Sequence, residues 1–169
     1  MLKIWKLIEK IVYSILSVGF RVLRKDLSDE FFESFMQFVR FGIVGVSNSV
    51  ISYVIYAVSL IGLKHIPGLI RYDYIIAQIM VFILSVLWSF YWNNKLVFVL
   101  EKGKKRNIWK ALLKTYVSYS FSVLFLNSIL LILWIQVLNI SEFVAPIINL
   151  IIGVPVNFVI NKLWAFKAE

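Results

Sequence analysis

"TYVSYSFSVLFLNSILLILWIQVLNISEFVAPIINLIIGVPVNFVIN", residues 115–161, holds one charged side chain, Glu142. A bilayer hydrocarbon core about 30 Å thick takes about 20 helical residues to cross. This stretch is too long for one crossing and right for two. Its middle, "LNISEFVAP" (138–146), carries the polar residues and proline of a tight turn. The spacing predicts two helices back to back, Thr115–Ser141 and Phe143–Asn161. Two earlier runs free of Asp, Glu, Lys and Arg, Phe41–Leu63 and Tyr74–Asn94, fit one crossing each. Strands are disfavoured, because the apolar runs are continuous rather than alternating. The fold class expected is an all-α membrane protein with four transmembrane helices.

Composition agrees. Of 169 residues 61% are hydrophobic and only 16% charged, with mean hydropathy +0.86. Soluble domains run closer to a quarter charged. There is no cysteine, which excludes disulfides, thiolate metal sites and cysteine nucleophiles. The single histidine, His65, makes neither a metal site nor a catalytic pair, and a solvated role is expected for it. In a membrane protein the net charge of +9 reads as topology and attraction to anionic lipid rather than as nucleic-acid binding. No cleavable signal is evident, because Lys6, Glu9 and Lys10 interrupt the first apolar stretch.

Residues 1–27 are of another kind. Lys3, Lys6, Lys10, Ser14, Ser17, Arg21 and Arg24 recur at helical steps. Ile4, Ile8, Ile11, Val12, Ile15 and Leu16, with Trp5 beside them, fill the other side. This predicts an amphipathic helix lying in the membrane interface, with a partner subunit as the alternative cover. Ser28, Asp29 and Glu30 then read as a helix start: a hydroxyl cap followed by acids in the first turn. That helix is expected to run through "FFESFMQFVRF" into the first span. Residues 28–169 form the four-helix domain.

Orientation follows from the basic residues. Lys3, Lys6, Lys10, Arg21, Arg24, Lys25 and Arg40 precede the first span. Lys95, Lys102, Lys104, Lys105, Arg106, Lys110 and Lys114 lie between the second and third, and Lys162 and Lys167 at the end. Lys64 and Arg71 fall on the other side. The positive-inside rule puts both termini in the cytoplasm. Two hairpins then start from the same side, so they form parallel repeats, about 35–98 and about 108–166. The run "EKGKKR" (101–106) reads as a solvated loop near anionic lipid. It lacks the glycine spacing of a phosphate-binding loop, so no nucleotide cofactor is expected.

The repeats share punctuation. "SFYWNNKLVF" (89–98) and "NFVINKLWAF" (157–166) each place Asn three residues after one Phe and five before another: Phe90, Asn93, Phe98 and Phe158, Asn161, Phe166. Polar residues also recur at four-residue steps, which keeps them on one helix face. Asn149, Gly153, Asn157 and Asn161 do so in the last span; Ser85, Ser89 and Asn93, preceded by Gln78, do so in the second. Gly45, Asn48, Ser49, Ser52 and Tyr56 mark the first span, and Thr115, Tyr119, Ser122 and Asn127 the third. Helix packing accounts for such residues, since amides and hydroxyls bond across membrane helices. A polar cleft is the sharper alternative, because the amides gather toward one membrane face beside Lys95 and Lys162. Trp88, Tyr91, Trp92 and Trp164 cluster at that depth, as an interfacial belt or as platforms for sugar rings. Pro155 with Gly153 predicts a local kink.

No span contains a carboxylate. A proton-coupled exporter and a metal-dependent glycosyltransferase are thereby disfavoured, and no enzymatic activity or metal is expected.

"FVRFGIVGVSNSVISY" (38–53) and the two Phe–Asn–Phe endings resemble the GtrA family, small four-helix bacterial membrane proteins of cell-surface polysaccharide and teichoic acid glycosylation. The likeness covers about residues 35–167. In the first ending Asn94 stands between Asn93 and Lys95, where the pattern has a basic residue directly after the asparagine. The resemblance implies movement of polyprenyl-phosphate-linked (undecaprenyl phosphate) sugar across the cytoplasmic membrane, with a glycosyltransferase as partner. For such a substrate, Arg40, Lys95, Lys114 and Lys162 are the candidate phosphate ligands. Asn48, Gln78, Ser89, Asn93, Asn94, Asn127, Asn157, Asn161, Trp92 and Trp164 are the candidate sugar or groove residues. A homo-oligomer, most simply a dimer, is expected, because four helices make a thin wall. The alternative function is a scaffold that recruits or assists the glycosyltransferase without transport.

Overall fold

The computed structural model of the chain describes residues 2–66, 68, 73–101, 103–141 and 144–167, the side chains of 2–4, 123, 124 and 146 excepted. Arg71, Lys102, Glu142 and the Lys3 side chain, all used above, lie outside the described residues. Every described element is helical. Helix α1 is Leu2–Val22, α2 Asp29–Leu63, α3 Asp73–Trp92, α4 Ile108–Ser120, α5 Asn127–Ile132 and α6 Ala145–Ile160. The chain divides into two compact units, Met1–Arg40 and Phe41–Glu169, and the division falls inside α2.

In the first unit, α1 ends where Arg24 takes the left-handed conformation (φ 53°). The amide of Lys25 reaches back to the Phe20 carbonyl at 3.0 Å. Ser28 then opens α2 as its sequence predicts: its hydroxyl accepts the Phe31 amide at 3.2 Å, and Asp29 and Glu30 occupy the first turn. Helix α1 runs antiparallel to the first turns of α2. Tyr13 meets Phe32 edge-on at 5.3 Å, Phe20 meets Phe31 at 5.1 Å, and Glu9 reaches Arg40 at 3.1 Å.

Among the described residues three helices are long and apolar enough to cross a membrane: Asp29–Leu63, which begins in the first unit, and Asp73–Val97 and Ile147–Ala165 in the second. The predicted third span is helical from Ile108 to Val137 but interrupted. Six-residue and five-residue π-helical turns, Phe121–Leu126 and Leu133–Val137, flank α5. Its apolar piece, Asn127–Val137, is shorter than the other three. The predicted turn follows. Asn139 is left-handed (φ 53°), and the Ser141 carbonyl accepts the amides of Val144 and Ala145 at 2.9 Å.

Among the described residues the interior mixes apolar and polar side chains: Met36, Val86, Phe98 and Phe166 are buried, and so are several amides and hydroxyls. Asn93, Asn161, Thr115, Ser89 and Ser118 are fully buried, while Tyr53, Val46, Ile151 and Leu150 are mostly exposed. In hydrocarbon, polar side chains are satisfied only by one another, so they turn inward. Pro155 sits within α6, where it has no amide to give the Ile151 carbonyl.

Candidate functional site: a polar seam closed by a paired aromatic motif

Both Phe–Asn–Phe stretches fold alike. After α3 and after α6 the helix widens into a π-helical turn, Asn93–Val97 and Asn161–Ala165. In each, the asparagine carbonyl accepts the amide of the phenylalanine five residues on, Phe98 to Asn93 and Phe166 to Asn161, both at 2.8 Å. Each asparagine side chain then donates to the residue four positions back. Asn93 Nδ2 reaches Ser89 Oγ at 3.0 Å, and Asn161 Nδ2 reaches Asn157 Oδ1 at 3.0 Å and its carbonyl at 2.8 Å. The ring contacts are reciprocal. Phe98 stacks on Phe166 at 4.6 Å; Phe90 stacks on Phe166 at 5.5 Å, and Phe158 on Phe98 at 5.9 Å. Phe41 joins them, 5.5 Å from Phe158.

Helix α4 stitches the repeats together. On one side Tyr119 shares a 2.7 Å hydrogen bond with Ser89, and the Tyr116 hydroxyl donates to the Ile83 carbonyl at 2.6 Å. On the other side Ser118, and Ser122 in the π-helical turn that follows, donate to Asn157 Oδ1 at 3.5 and 3.4 Å. Farther along, Trp134 Nε1 donates to Asn149 Oδ1 at 2.7 Å, and Asn149 Nδ2 donates to the Asn127 carbonyl at 2.9 Å. Trp88 Nε1 reaches Ser47 Oγ at 3.0 Å, tying α3 to α2. These are the bonds that helix packing calls for. Tyr119 and Ser118 matter more to the seam than their sequence suggested; Trp134 carried no polar signal at all.

Some buried polar atoms remain unspent. Among the described residues nothing bonds the side-chain oxygens of Asn48, Asn93 and Asn161 or the indole nitrogen of Trp92. With Arg106 Nε, that makes three acceptors and two donors removed from water without a protein partner. Gln78 is exposed instead, while Asn127, though exposed, accepts Asn149 Nδ2 on its side-chain oxygen at 2.5 Å.

The basic residues are braced by aromatics. Lys95 donates to the Tyr91 hydroxyl at 3.2 Å and lies over the rings of Tyr91 and Trp92, at 5.4 and 5.7 Å. Lys114 donates to the Trp164 carbonyl at 3.3 Å and lies 5.7 Å over its ring. Lys162 lies 5.6 Å over Phe158. Arg40, in the first unit, is engaged by Glu9 and sits 5.8 Å over Trp5.

The reading of 101–106 as a solvated loop holds for Lys104 and Glu101, an exposed pair at 2.7 Å. It fails for Arg106. That guanidinium donates to Asn94 Oδ1 at 2.7 Å, to the Phe98 carbonyl at 3.0 Å and to the Phe166 carbonyl, and lies 5.2 Å over the Phe166 ring. Burial lowers its pKa from the usual arginine value, yet arginine stays charged in any protein setting. One side chain thus ties the ends of both motif copies. Asn94, the residue that departs from the expected pattern, supplies one of its acceptors.

Apolar helices around an inward polar seam, with cations at one end of each returning helix, define a multi-pass membrane protein. The chain belongs to the family whose model is described as the GtrA/DPMS transmembrane domain, which matches residues 40–166. Membership places it among membrane proteins of glycosylation-related processes that handle lipid-linked sugars. No curated protein and no solved structure matches the chain.

Proposed function

We propose that this protein carries a polyprenyl-phosphate-linked monosaccharide across the bacterial cytoplasmic membrane for glycosylation of cell-surface polysaccharide or teichoic acid. The reading has four crossings, with the π-interrupted helix 108–137 as the third and both termini in the cytoplasm. It is non-enzymatic, uses no cofactor and takes its substrate from a membrane glycosyltransferase. The working unit is a homodimer.

The observation that carries the reading is the pair of motif copies with unspent amide oxygens beside aromatic-braced lysines. The prenyl tail of such a substrate stays in lipid throughout. The barrier is the anion and the hydroxyls, each unsatisfied polar group costing several kcal/mol in hydrocarbon. Hydroxyl donors match free amide acceptors, and lysines on aromatic faces match a phosphodiester.

The test is reconstitution with labelled lipid-linked sugar. Movement by the intact chain, lost on Arg40→Ala and on Asn161→Ala while the melting transition persists, supports the proposal. Absence of movement by well-folded protein overturns it. It would favour the scaffold reading, which has its own support: Ser89, Asn157 and Asn149 already spend their side chains on neighbouring helices.

A further inference from the structure

The apolar side of α1 is two stripes, and among the described residues one packs on α2 while the other is largely exposed. Trp5, Ile8, Val12, Leu16 and Phe20 are half-buried and follow one line along the helix. The contacts of Trp5, Glu9, Tyr13 and Phe20 with the first turns of α2 lie on or beside this line. A second line, Leu7, Ile11, Ile15, Val18 and Val22, steps by three and four residues along the same helix and is 51–76% exposed. At 1.5 Å per residue it is about 22 Å long. A third line, Lys6, Lys10, Ser14 and Arg21, borders the second and is exposed as well.

We propose that the Leu7–Val22 stripe of α1 lies in an anionic membrane surface, its apolar side chains among acyl chains and Lys6, Lys10 and Arg21 on the headgroup phosphates. Sign and tethering favour this occupant. The acid of this helix, Glu9, is bonded to Arg40, so the face outside carries positive charge alone beside its apolar stripe. A second copy applied to the same stripe would set lysine and arginine against their own kind. An anionic leaflet presents the opposite sign, and each basic residue near it contributes attraction. The helix on which α1 folds back is itself long and apolar enough to cross the bilayer, so the surface is always within reach. The inference is independent of whether the second unit transports sugar.

The absence of cysteine makes the test direct. Single cysteines replacing Leu7, Ile11, Ile15 and Val18, and Ser14 as reference, take a nitroxide in the full-length protein, reconstituted with and without phosphatidylglycerol in phosphatidylcholine. Stripe labels are expected to be open to oxygen and closed to a water-soluble nickel chelate when phosphatidylglycerol is present, with Ser14→Cys open to nickel. Replacing Lys6, Lys10 and Arg21 by glutamine should shift labels toward water, by about fivefold in partition for each charge removed. Two results would overturn the proposal. One is water-like accessibility along the stripe in anionic vesicles. The other is dipolar broadening between copies at these positions, which would assign the face to a second chain.

Discussion

The rings of Phe98 and Phe166 lie face to face, their centroids 4.6 Å apart and their planes 23° from parallel. The two residues occupy the same place in the two motif copies. Around them the contacts repeat in exchange: Phe90 lies on Phe166, Phe158 on Phe98, at interplanar angles of 24° and 26°. Two copies of one motif are held together here by their like residues. The repeated phenylalanines are therefore an internal interface, and a π-helical turn opening on an asparagine precedes Phe98 and Phe166 alike.

A double-mutant cycle on Phe98→Leu and Phe166→Leu should show coupling of about 0.5–1.5 kcal/mol, the range for stacked aromatic pairs. Each single change should cost less than the same change in a water-soluble core, because the separated helices would still sit in lipid. Unfolding in mixed detergent reads both. Additive losses would mean that the stack contributes nothing specific.

Arg106→Lys should destabilise nearly as much as Arg106→Ala. The lysine keeps the charge but cannot fork to three acceptors. Hydrogen bonds to charged groups contribute about 1.5–3 kcal/mol each, so a loss of at least about 2 kcal/mol is expected from either change. Lys104→Ala, on the exposed part of the same loop, should stay within about 0.5 kcal/mol of the parent. Equal melting temperatures for all three variants would contradict the bridging role.

Much of this was legible in the residues. Charge-free runs gave the long helices, the spacing of Phe90, Asn93 and Phe98 gave the repeat, and Ser28 gave a helix start. Arg106 was not legible, because a basic run has the same composition whether its last member is solvated or pinned under carbonyls. Asn94 was the available signal: a second amide where the family pattern has a base. The division of α1 into two apolar stripes was hidden too, since a helical wheel shows which side is apolar and not which half Phe31 and Phe32 will cover. The π-helical turns leave no compositional trace, as one widened turn costs no residue type. Among the candidate site residues, Ser89, Asn93, Asn157 and Asn161 come together in one seam and Asn127 joins it farther along through Asn149, whereas Gln78 stays exposed.

Trp134→Phe tests the third link of the seam. The change keeps an aromatic ring and removes the donor to Asn149 Oδ1. Hydrogen bonds between membrane helices contribute about 0.6–1.7 kcal/mol, and the loss should fall within that range. Adding Asn149→Leu should cost less in this background than in the parent chain, because the amide oxygen has already lost its partner. A full, independent loss would show that the indole bond is not formed.

The two asparagines offer a test of the repeat itself. Asn93 and Asn161 are both buried, donate four residues back and leave an oxygen without a protein donor. If each oxygen holds a guest hydroxyl, Asn→Asp at either position places a full charge where burial disfavours it. The neutral acid keeps the carbonyl acceptor and offers an O–H where the amide offered its N–H, so both contacts survive only at the cost of protonation. Transport of lipid-linked sugar should therefore fall less in both variants than on loss of the polar group, and their melting temperatures should drop by similar amounts. Asn→Leu at the same positions removes acceptor and donor together and should abolish transport while costing about 1 kcal/mol of stability, the net contribution of a typical hydrogen bond. Unequal transport losses at Asn93 and Asn161, with equal stability, would show that the halves divide the work rather than share it.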